Sequence, residues 1–364
     1  MALSKVDLAN QVENQLPQNL VANNLPFRNI IINGDMSIAQ RSTSVASITT
    51  TGYYTVDRWQ TAISSLGTWT QSQSTDVPTG QGFATSLKMD CTTADASPSA
   101  SDSLYVRTKF EGQNLQYLKK GTANAESLTA SFWVKSNKTG TYIVELLDND
   151  NSDFVSQSYT INVSNTWEKK TITFPADTNY AFDNDNAVSL GIHFYLGAGT
   201  DYTSGTLNTT WTDSAIQTGR AVGQVNLADD TANDWYITGV QLEAGTTASD
   251  FEFLPYDVNL ARCMRYYQIV DSIIGTAGSA TDVYAAILFP VPMRAIPSIS
   301  ASGVMTWRDL AADFAQSSAA AVFWGSFTST RGAGAAFQNM SGMTLYRPML
   351  LVPTSGNPIF SAEL

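Results

Sequence analysis

The sequence predicts an all-β protein: an antiparallel jelly-roll β-sandwich, then a short helix and a smaller C-terminal β-domain. Three observations predict it. Segments of strand length, apolar on alternate residues, follow one another from residue 29 to residue 242. Clusters of Gly, Pro, Asn, Asp and Ser separate them, among them Asp76-Val-Pro-Thr-Gly-Gln-Gly and Ser136-Asn-Lys-Thr-Gly. A helical period is almost absent before Asn259.

The elements follow in chain order. Residues 1 to 28 read as a short amphipathic segment (Leu3, Val6, Val12, Leu16) stopped by Pro17, then an extended linker; an anchor and a frayed terminus both fit. Strand signals follow at Asn29–Ile32, Thr55–Ala62, Thr68–Ser74, Ala84–Cys91, Leu104–Phe110, Leu128–Lys135, Gly140–Leu147, Phe154–Val163, Trp167–Phe174 and Val188–Leu196. Residues 197 to 233 read as a long excursion with one weak strand near Thr206–Trp211. The stretch Asp234–Leu242 closes the sandwich, with Gly239 shifting its phase as a bulge would. These boundaries give a sandwich over 29–258, a helical connector over 259–270 capped by Asn259, and a β-domain over 271–364. In the last, strands are expected at Val283–Phe289, Ile296–Ser300, Ala320–Phe327 and Met343–Leu351, with a helical turn at Leu310–Ala315. Its Ala- and Gly-rich, charge-poor composition points to a subunit interface.

Composition narrows the function. Charged residues are 14% of the 364, well under the roughly 25% of an average soluble domain. The net charge of −12 disfavours wrapping nucleic acid or an anionic membrane, and no apolar run is long enough to span a bilayer. Cys91 and Cys263 are expected as two buried free thiols rather than a disulfide. With one histidine, His193, and no CxxC, a zinc site is excluded. His193 lies in a strand pattern without a nucleophile motif, and reads as a satisfied sheet histidine rather than a base.

Several residues are candidates for binding. A sugar needs an aromatic face for its apolar side and amides or carboxylates for its hydroxyls. Tyr53, Tyr54, Trp69, Tyr202 and Trp211 lie at strand or loop ends and are the candidate glycan contacts; Trp59, Trp133, Trp167 and Trp235 are expected in the core. Asp148-Asn-Asp-Asn-Ser-Asp sets hard oxygens at close spacing, so Asp148, Asp150 and Asp153 are candidate calcium ligands; the same run also reads as an ordinary hairpin turn. Glu111, Glu145, Glu168 and Glu243 are acids that a glycosidase could pair, a signal any acidic β-protein offers by chance, and no enzyme is expected.

Asn29-Ile-Ile-Ile-Asn-Gly-Asp-Met with Ala39-Gln-Arg, Tyr53-Tyr-Thr-Val-Asp-Arg-Trp, Val240-Gln-Leu-Glu-Ala-Gly, Asp250-Phe-Glu-Phe and Leu260-Ala-Arg-Cys-Met-Arg-Tyr-Tyr-Gln together resemble a recurrent set of segments in bacteriophage tail-fibre and related virion proteins. Phe289-Pro-Val-Pro-Met-Arg-Ala-Ile-Pro and the terminal Ser361-Ala-Glu-Leu are similar to that family's C-terminal module, while residues 75 to 230 share only the strand rhythm. The resemblance implies a virion structural protein with a carbohydrate-binding-module-like jelly roll, tied to other virion proteins through its N-terminal segment and closed into a homotrimer. Its job would be attachment to a host-surface glycan. A capsid decoration, head-fibre or tail-connector protein without a ligand is the alternative, and a glycan depolymerase the third reading. The opening residues do not read as a signal peptide, which suits assembly in the host cytoplasm and release by lysis. Jelly rolls of this kind often hold a structural calcium between the first strand, here Asn33-Gly34-Asp35, and an acid on the last; Thr238 stands at that acidic position.

Overall fold

The computed structural model describes residues 27–271, 273–309, 311–352 and 356–364, so the anchor expected over 1–28 lies almost wholly outside the described residues. The chain divides into two compact units, Met1–Pro255 and Tyr256–Leu364.

The first unit contains strands β1 (Ser44–Ile48), β2 (Gly52–Tyr53), β3 (Gln60–Ser64), β4 (Thr68–Ser74), β5 (Ser86–Thr93), β6 (Ser103–Glu111) and β7 (Leu128–Ser136). It continues with β8 (Gly140–Asp148), β9 (Asp153–Ile161), β10 (Glu168–Phe174), β11 (Val188–Ala198), β12 (Thr212–Asp213) and β13 (Asp234–Ala244). These make two antiparallel sheets, ordered β1-β4-β5-β13-β7-β10 and β12-β9-β8-β11-β6-β3-β2. Alternate residues of both pack into one core, with Trp59, Phe132, Phe194 and Trp235 at its centre, all but sealed from solvent. This is the jelly-roll sandwich.

Local differences from the expected elements have physical causes. Residues 29–32 are not a strand but a strap sewn onto β13: Ile30 N donates to Leu242 O (2.9 Å), and Leu242 N donates to Asn29 Oδ1 (3.0 Å). The strap needs Gly34, where a Cβ would meet Val240 O at 2.1 Å. The bulge expected at Gly239 is present: pairing of β13 with β7 slips between Thr238 and Gln241, and Gly239 has φ +61°. Residues 55–59 form a turn that sinks Trp59 into the core, so the strand expected from Thr55 begins only at Gln60. The weak strand expected at 206–211 is instead the two residues of β12.

The second unit opens with a helix, Tyr256–Met264, which starts directly after Pro255; Asn259, expected as its cap, is buried within it. Tyr267, expected on that helix, begins a strand. Here β14 (Tyr267–Ile269), β15 (Ile274–Ala277), β16 (Val283–Leu288), β17 (Ser298–Ala301) and β18 (Thr306–Arg308) are followed by β19 (Asp313–Ala315), β20 (Ala321–Thr328), β21 (Gly332–Phe337), β22 (Pro348–Leu351) and β23 (Pro358–Ser361). They form a three-stranded sheet, β14-β23-β17, and a seven-stranded one, β19-β18-β22-β15-β16-β21-β20, around Met305, Trp307, Phe337 and Phe360. Of the helical turn expected at Leu310–Ala315, Leu310 lies outside the described residues, and residues 313–315 pair with β18 instead, with Arg308 and Asp313 joined across it at 2.5 Å. Cys91 and Cys263 are both free and buried.

Candidate functional site

Cross-strand partners point to one side of a sheet, so the register of the seven-stranded sheet fixes what its outer face displays. One row runs Tyr53, Gln60, Arg107, His193, Glu145, Ser156, from β2 through β9. A second carries Ala62, Tyr105 and Tyr195. Their neighbours Leu104, Val106, Phe194, Val144 and Leu146 lie in the core, which confirms that these rows face outward.

The excursion after β11 roofs half of this face. Its one-turn helix, Thr200–Thr203, brings Tyr202 against Ile143, Tyr195 and Ala221, with Leu207 beside them. Arg220 forks onto the buried Glu145, Nε to Oε2 at 2.6 Å and Nη2 to Oε1 at 2.5 Å. Ser156 Oγ donates to Arg220 O (2.7 Å), and Ile143 N donates to Gln224 Oε1 (2.8 Å). Beneath the roof His193 lies 3.0 Å from Glu145 through Nδ1, which must donate, since a carboxylate only accepts. Burial holds the His193 pKa down to about 4, against the pull of Glu145. Burial pushes the Glu145 carboxyl up, but the charge and hydrogen bonds of Arg220, with that of His193, outweigh it and hold it below its ordinary value. Glu145 is therefore a locked anion and His193 a neutral ring.

The other half of the face, over β2, β3 and β6, is open. Tyr53, Gln60, Tyr105 and Arg107 are each half-buried there, with the half-buried Tyr202 at the edge of the roof. Arg107 Nε donates to Gln60 Oε1 (2.6 Å), and its guanidinium lies 5.6 Å from the centre of the Tyr105 ring. Tyr105 stacks on His193 at 4.8 Å, and Arg41 lies 5.3 Å from the Tyr53 ring. Two tyrosine rings are thus held rigid beside an amide and two guanidinium groups. Such a surface presents apolar faces and hydrogen-bonding groups together.

Of the five aromatic residues singled out by the sequence, the structure places Tyr53 and Tyr202 at this face. Tyr54 folds over its own turn, donating through Oη to Thr50 O (2.6 Å). Trp69 is sealed in the core and bonds Leu66 O (2.7 Å), so it presents no surface to a ligand. Trp211 donates to Pro175 O (2.9 Å), and Lys120 Nζ sits 4.8 Å from its ring centre, on one face of it. Gln60, Tyr105 and Arg107 lie within strands rather than at loop ends, and the alternation Tyr105, Arg107, Lys109 within β6 is the signal that marks the outward set. Trp133 and Trp167, expected in the core, are half-buried on the outer face of the six-stranded sheet. The run Phe132-Trp133-Val134 is apolar on both faces, so periodicity could not choose between them.

Two of the three candidate calcium ligands, Asp148 and Asp150, are engaged elsewhere. Asp148 Oδ1 accepts from the amides of Asp150 (2.9 Å) and Asn151 (3.1 Å), closing the hairpin turn, while Oδ2 lies 2.5 Å from Lys120 Nζ. Asp150 Oδ2 accepts from Asp183 N (2.9 Å). Lys120 Nζ also lies 2.6 Å from Asp177 Oδ2 and donates to Tyr180 O (3.0 Å), so an ammonium occupies the centre of this oxygen cluster, next to Asp153. At Thr238 a hydroxyl, not a carboxylate, reaches the carbonyls of Thr85 (2.8 Å) and Asp35 (3.3 Å). Among the described residues no three His, Cys, Asp or Glu side chains are grouped to hold a metal ion. The four acids considered as glycosidase carboxylates are each hydrogen-bonded within the protein: Glu111 to Gln113, Glu145 to Arg220, Glu168 to Lys170 and Glu243 to Ser249.

No protein-family model and no curated protein matches the chain. Among solved structures it is similar to the enzymatically active domain of tailspike protein 4 of bacteriophage CBA120, at 14% identity and TM-score 0.32 over 60% of this chain and 22% of that one. The chain thus spans about a fifth of that domain's length. It is also similar to a putative sugar-binding protein from Bacteroides thetaiotaomicron, at 13% identity and TM-score 0.31, covering 59% of this chain and 99% of that one. A third is the TmCBM61 module in complex with β-1,4-galactotriose, at 10% identity and TM-score 0.29 over 60% of this chain and 99% of that one.

Proposed function

We propose that this chain is a bacteriophage virion protein whose sandwich attaches the particle to a host-surface glycan. The observation that carries the reading is the open half of the seven-stranded face, where Tyr53 stands in register with Gln60 and Arg107, and Tyr105 lies in the next row on the same side. The tyrosine rings stack on the apolar sides of sugar rings, and Gln60 with Arg107 bonds their hydroxyls. No bond is broken in this reading: attachment is binding alone, weak per site and strengthened by repetition on the particle. The virion setting rests on the segment resemblance, which also implies the homotrimer and assembly before lysis.

A second reading, a purely structural virion protein, is favoured by one feature of the second unit. Its seven-stranded sheet exposes Leu288 (84%), Tyr346 (79%), Ile274 (69%) and Leu350 (52%), the last two directly paired. Monomeric proteins seldom leave such a patch uncovered. The two readings are tested together by gold-labelled antibody against residues 29–258 on intact particles. Label on distal tail appendages is the expected result. Label spread over the capsid supports the decoration reading instead, and unlabelled particles overturn the virion reading.

A further inference from the structure

The opposite side of the sandwich carries a feature that neither reading uses. On the outer face of the six-stranded sheet a cleft of about 190 Å³ opens beside the bulge of β13. Three phenylalanines form one wall: ring centres of Phe83 and Phe251 are 5.1 Å apart, of Phe83 and Phe253 5.0 Å, and of Phe251 and Phe253 4.8 Å. Edge-to-face contacts of this kind hold rings rigid. The bulge makes room for them, since a Cβ on Gly239 would meet Phe83 Cζ at 2.5 Å. Phe251 and Phe253 belong to the Asp250-Phe-Glu-Phe segment, whose Glu252 ties the strap down by accepting from Asn29 N (2.9 Å). The rings themselves are not needed for that tie.

Trp133 lines the cleft from β7. Its condition differs from that of Trp167 on the same sheet. Trp167 donates to Asp76 Oδ1 (2.9 Å), Lys135 Nζ lies 5.6 Å from its ring centre, and Tyr236 meets it edge-on at 6.1 Å. Trp133 is half-buried, and its indole N–H has no partner among the described residues. The rim adds Gln81 and Lys169, both exposed, whose side chains likewise bond nothing among the described residues, and the carboxylate of Asp250. A cap built only to cover a sheet needs neither an open cavity nor idle donors around it.

We propose that this cleft is a second saccharide site, taking a single pyranose unit. Aromatic walls match the apolar side of a sugar ring, and a rim holding ammonium, amide and carboxylate matches hydroxyls that both donate and accept. An acidic residue on the same rim as the lysine disfavours a free anion, and the polar rim disfavours a purely apolar ligand. The volume equals that of roughly six waters at about 30 Å³ each, below the roughly 300 Å³ where drug-sized pockets begin. One ring fits; a chain does not. The site therefore reads a terminal or branch sugar, on the side of the sandwich opposite the first face and independently of it.

The test is nuclear magnetic resonance of the whole chain labelled with fluorotryptophan, with the Trp133 signal assigned by its loss in Trp133→Phe. Methyl glycosides of glucose, galactose, mannose and N-acetylglucosamine are titrated into the millimolar range. At least one should shift the Trp133 signal, and Phe253→Ala should weaken that response by roughly tenfold, the size expected for loss of one stacking face. Lys169→Ala, a change at an exposed side chain outside the core, should weaken it as well. Tyr53→Ala should leave it unchanged, so this site and the first fail separately. A Trp133 signal silent to all four glycosides overturns the proposal, as does a response that survives both Phe253→Ala and Lys169→Ala.

Discussion

The imidazole of His193 is neutral in the folded protein because the protein around it excludes water, and this has a measurable consequence. Its folded pKa of about 4 lies below its ordinary value of 6.5. As pH falls below about 6.5 the unfolded chain takes up a proton that the native chain refuses until about pH 4. Stability is thus intact above that window and is lost across it, by on the order of 3 kcal/mol at 1.36 kcal/mol per unit. Glu145, held below its ordinary 4.5, adds loss in the same direction at still lower pH. Urea midpoints should drop from pH 7 to pH 4.5 more steeply in the native sequence than in His193→Gln, and equal slopes would contradict the account. On the open half of the same face, Tyr53→Ala and Arg107→Ala should each lower glycan affinity about tenfold with the melting temperature unmoved. Both side chains are half-buried and outside the core.

Elements are held by polar ties as much as by apolar packing. Lys120, with 5% of its side chain exposed, bridges Asp148 (0%) and Asp177 (1%), joining the β8–β9 hairpin to the segment after β10. Replacing it by methionine leaves two buried carboxylates uncompensated, and a loss of roughly 3–5 kcal/mol is expected. Chemical denaturation of Lys120→Met measures it; a loss under about 1 kcal/mol would show the ties to be dispensable. With the ammonium in place, a chelator should not move the melting temperature of the native sequence. Much of this element level was legible in the sequence. Alternation located the longer strands, turn residues bounded them, and Gly239 announced the bulge. What was not legible depended on distant partners. The strap at 29–32 has strand-like isoleucines but follows a bulge over two hundred residues away. Asp148 and Lys120 stand 28 residues apart, so nothing in the acidic turn itself says that the cation beside it is a lysine. The proposed glycan face differs: Tyr105 and Arg107 are plain in the alternation, but nothing in one strand says which neighbours complete the face or which half the excursion covers.

At the scale of the molecule, the two units differ in what they leave open. The first exposes polar-aromatic surfaces on both sides of a sealed core, whereas the second exposes large aliphatic side chains on one sheet. On that sheet a trough of about 710 Å³ runs past Tyr284, Leu288 and Tyr346, with Gly332 and Gly334 as its floor. Further copies of this chain are the cover we propose for it, consistent with the trimer that the resemblance implies. Leu288→Glu with Tyr346→Ser should convert a trimer to monomers in light scattering, while a chain that is monomeric before the change, or trimeric after it, would count against this assignment. Oligomerisation would strengthen the proposed attachment, because a shallow face binds weakly alone.

On the reading proposed above, the open half of the seven-stranded face holds sugar. The most direct measurement is binding of the whole chain to an array of bacterial surface glycans, run in parallel with the Tyr53→Ala/Arg107→Ala double variant. The account predicts retention on at least one glycan by the native sequence and a loss of roughly a hundredfold in the double variant. A native sequence that binds none of them, or a double variant that binds as well as the native sequence, would contradict it.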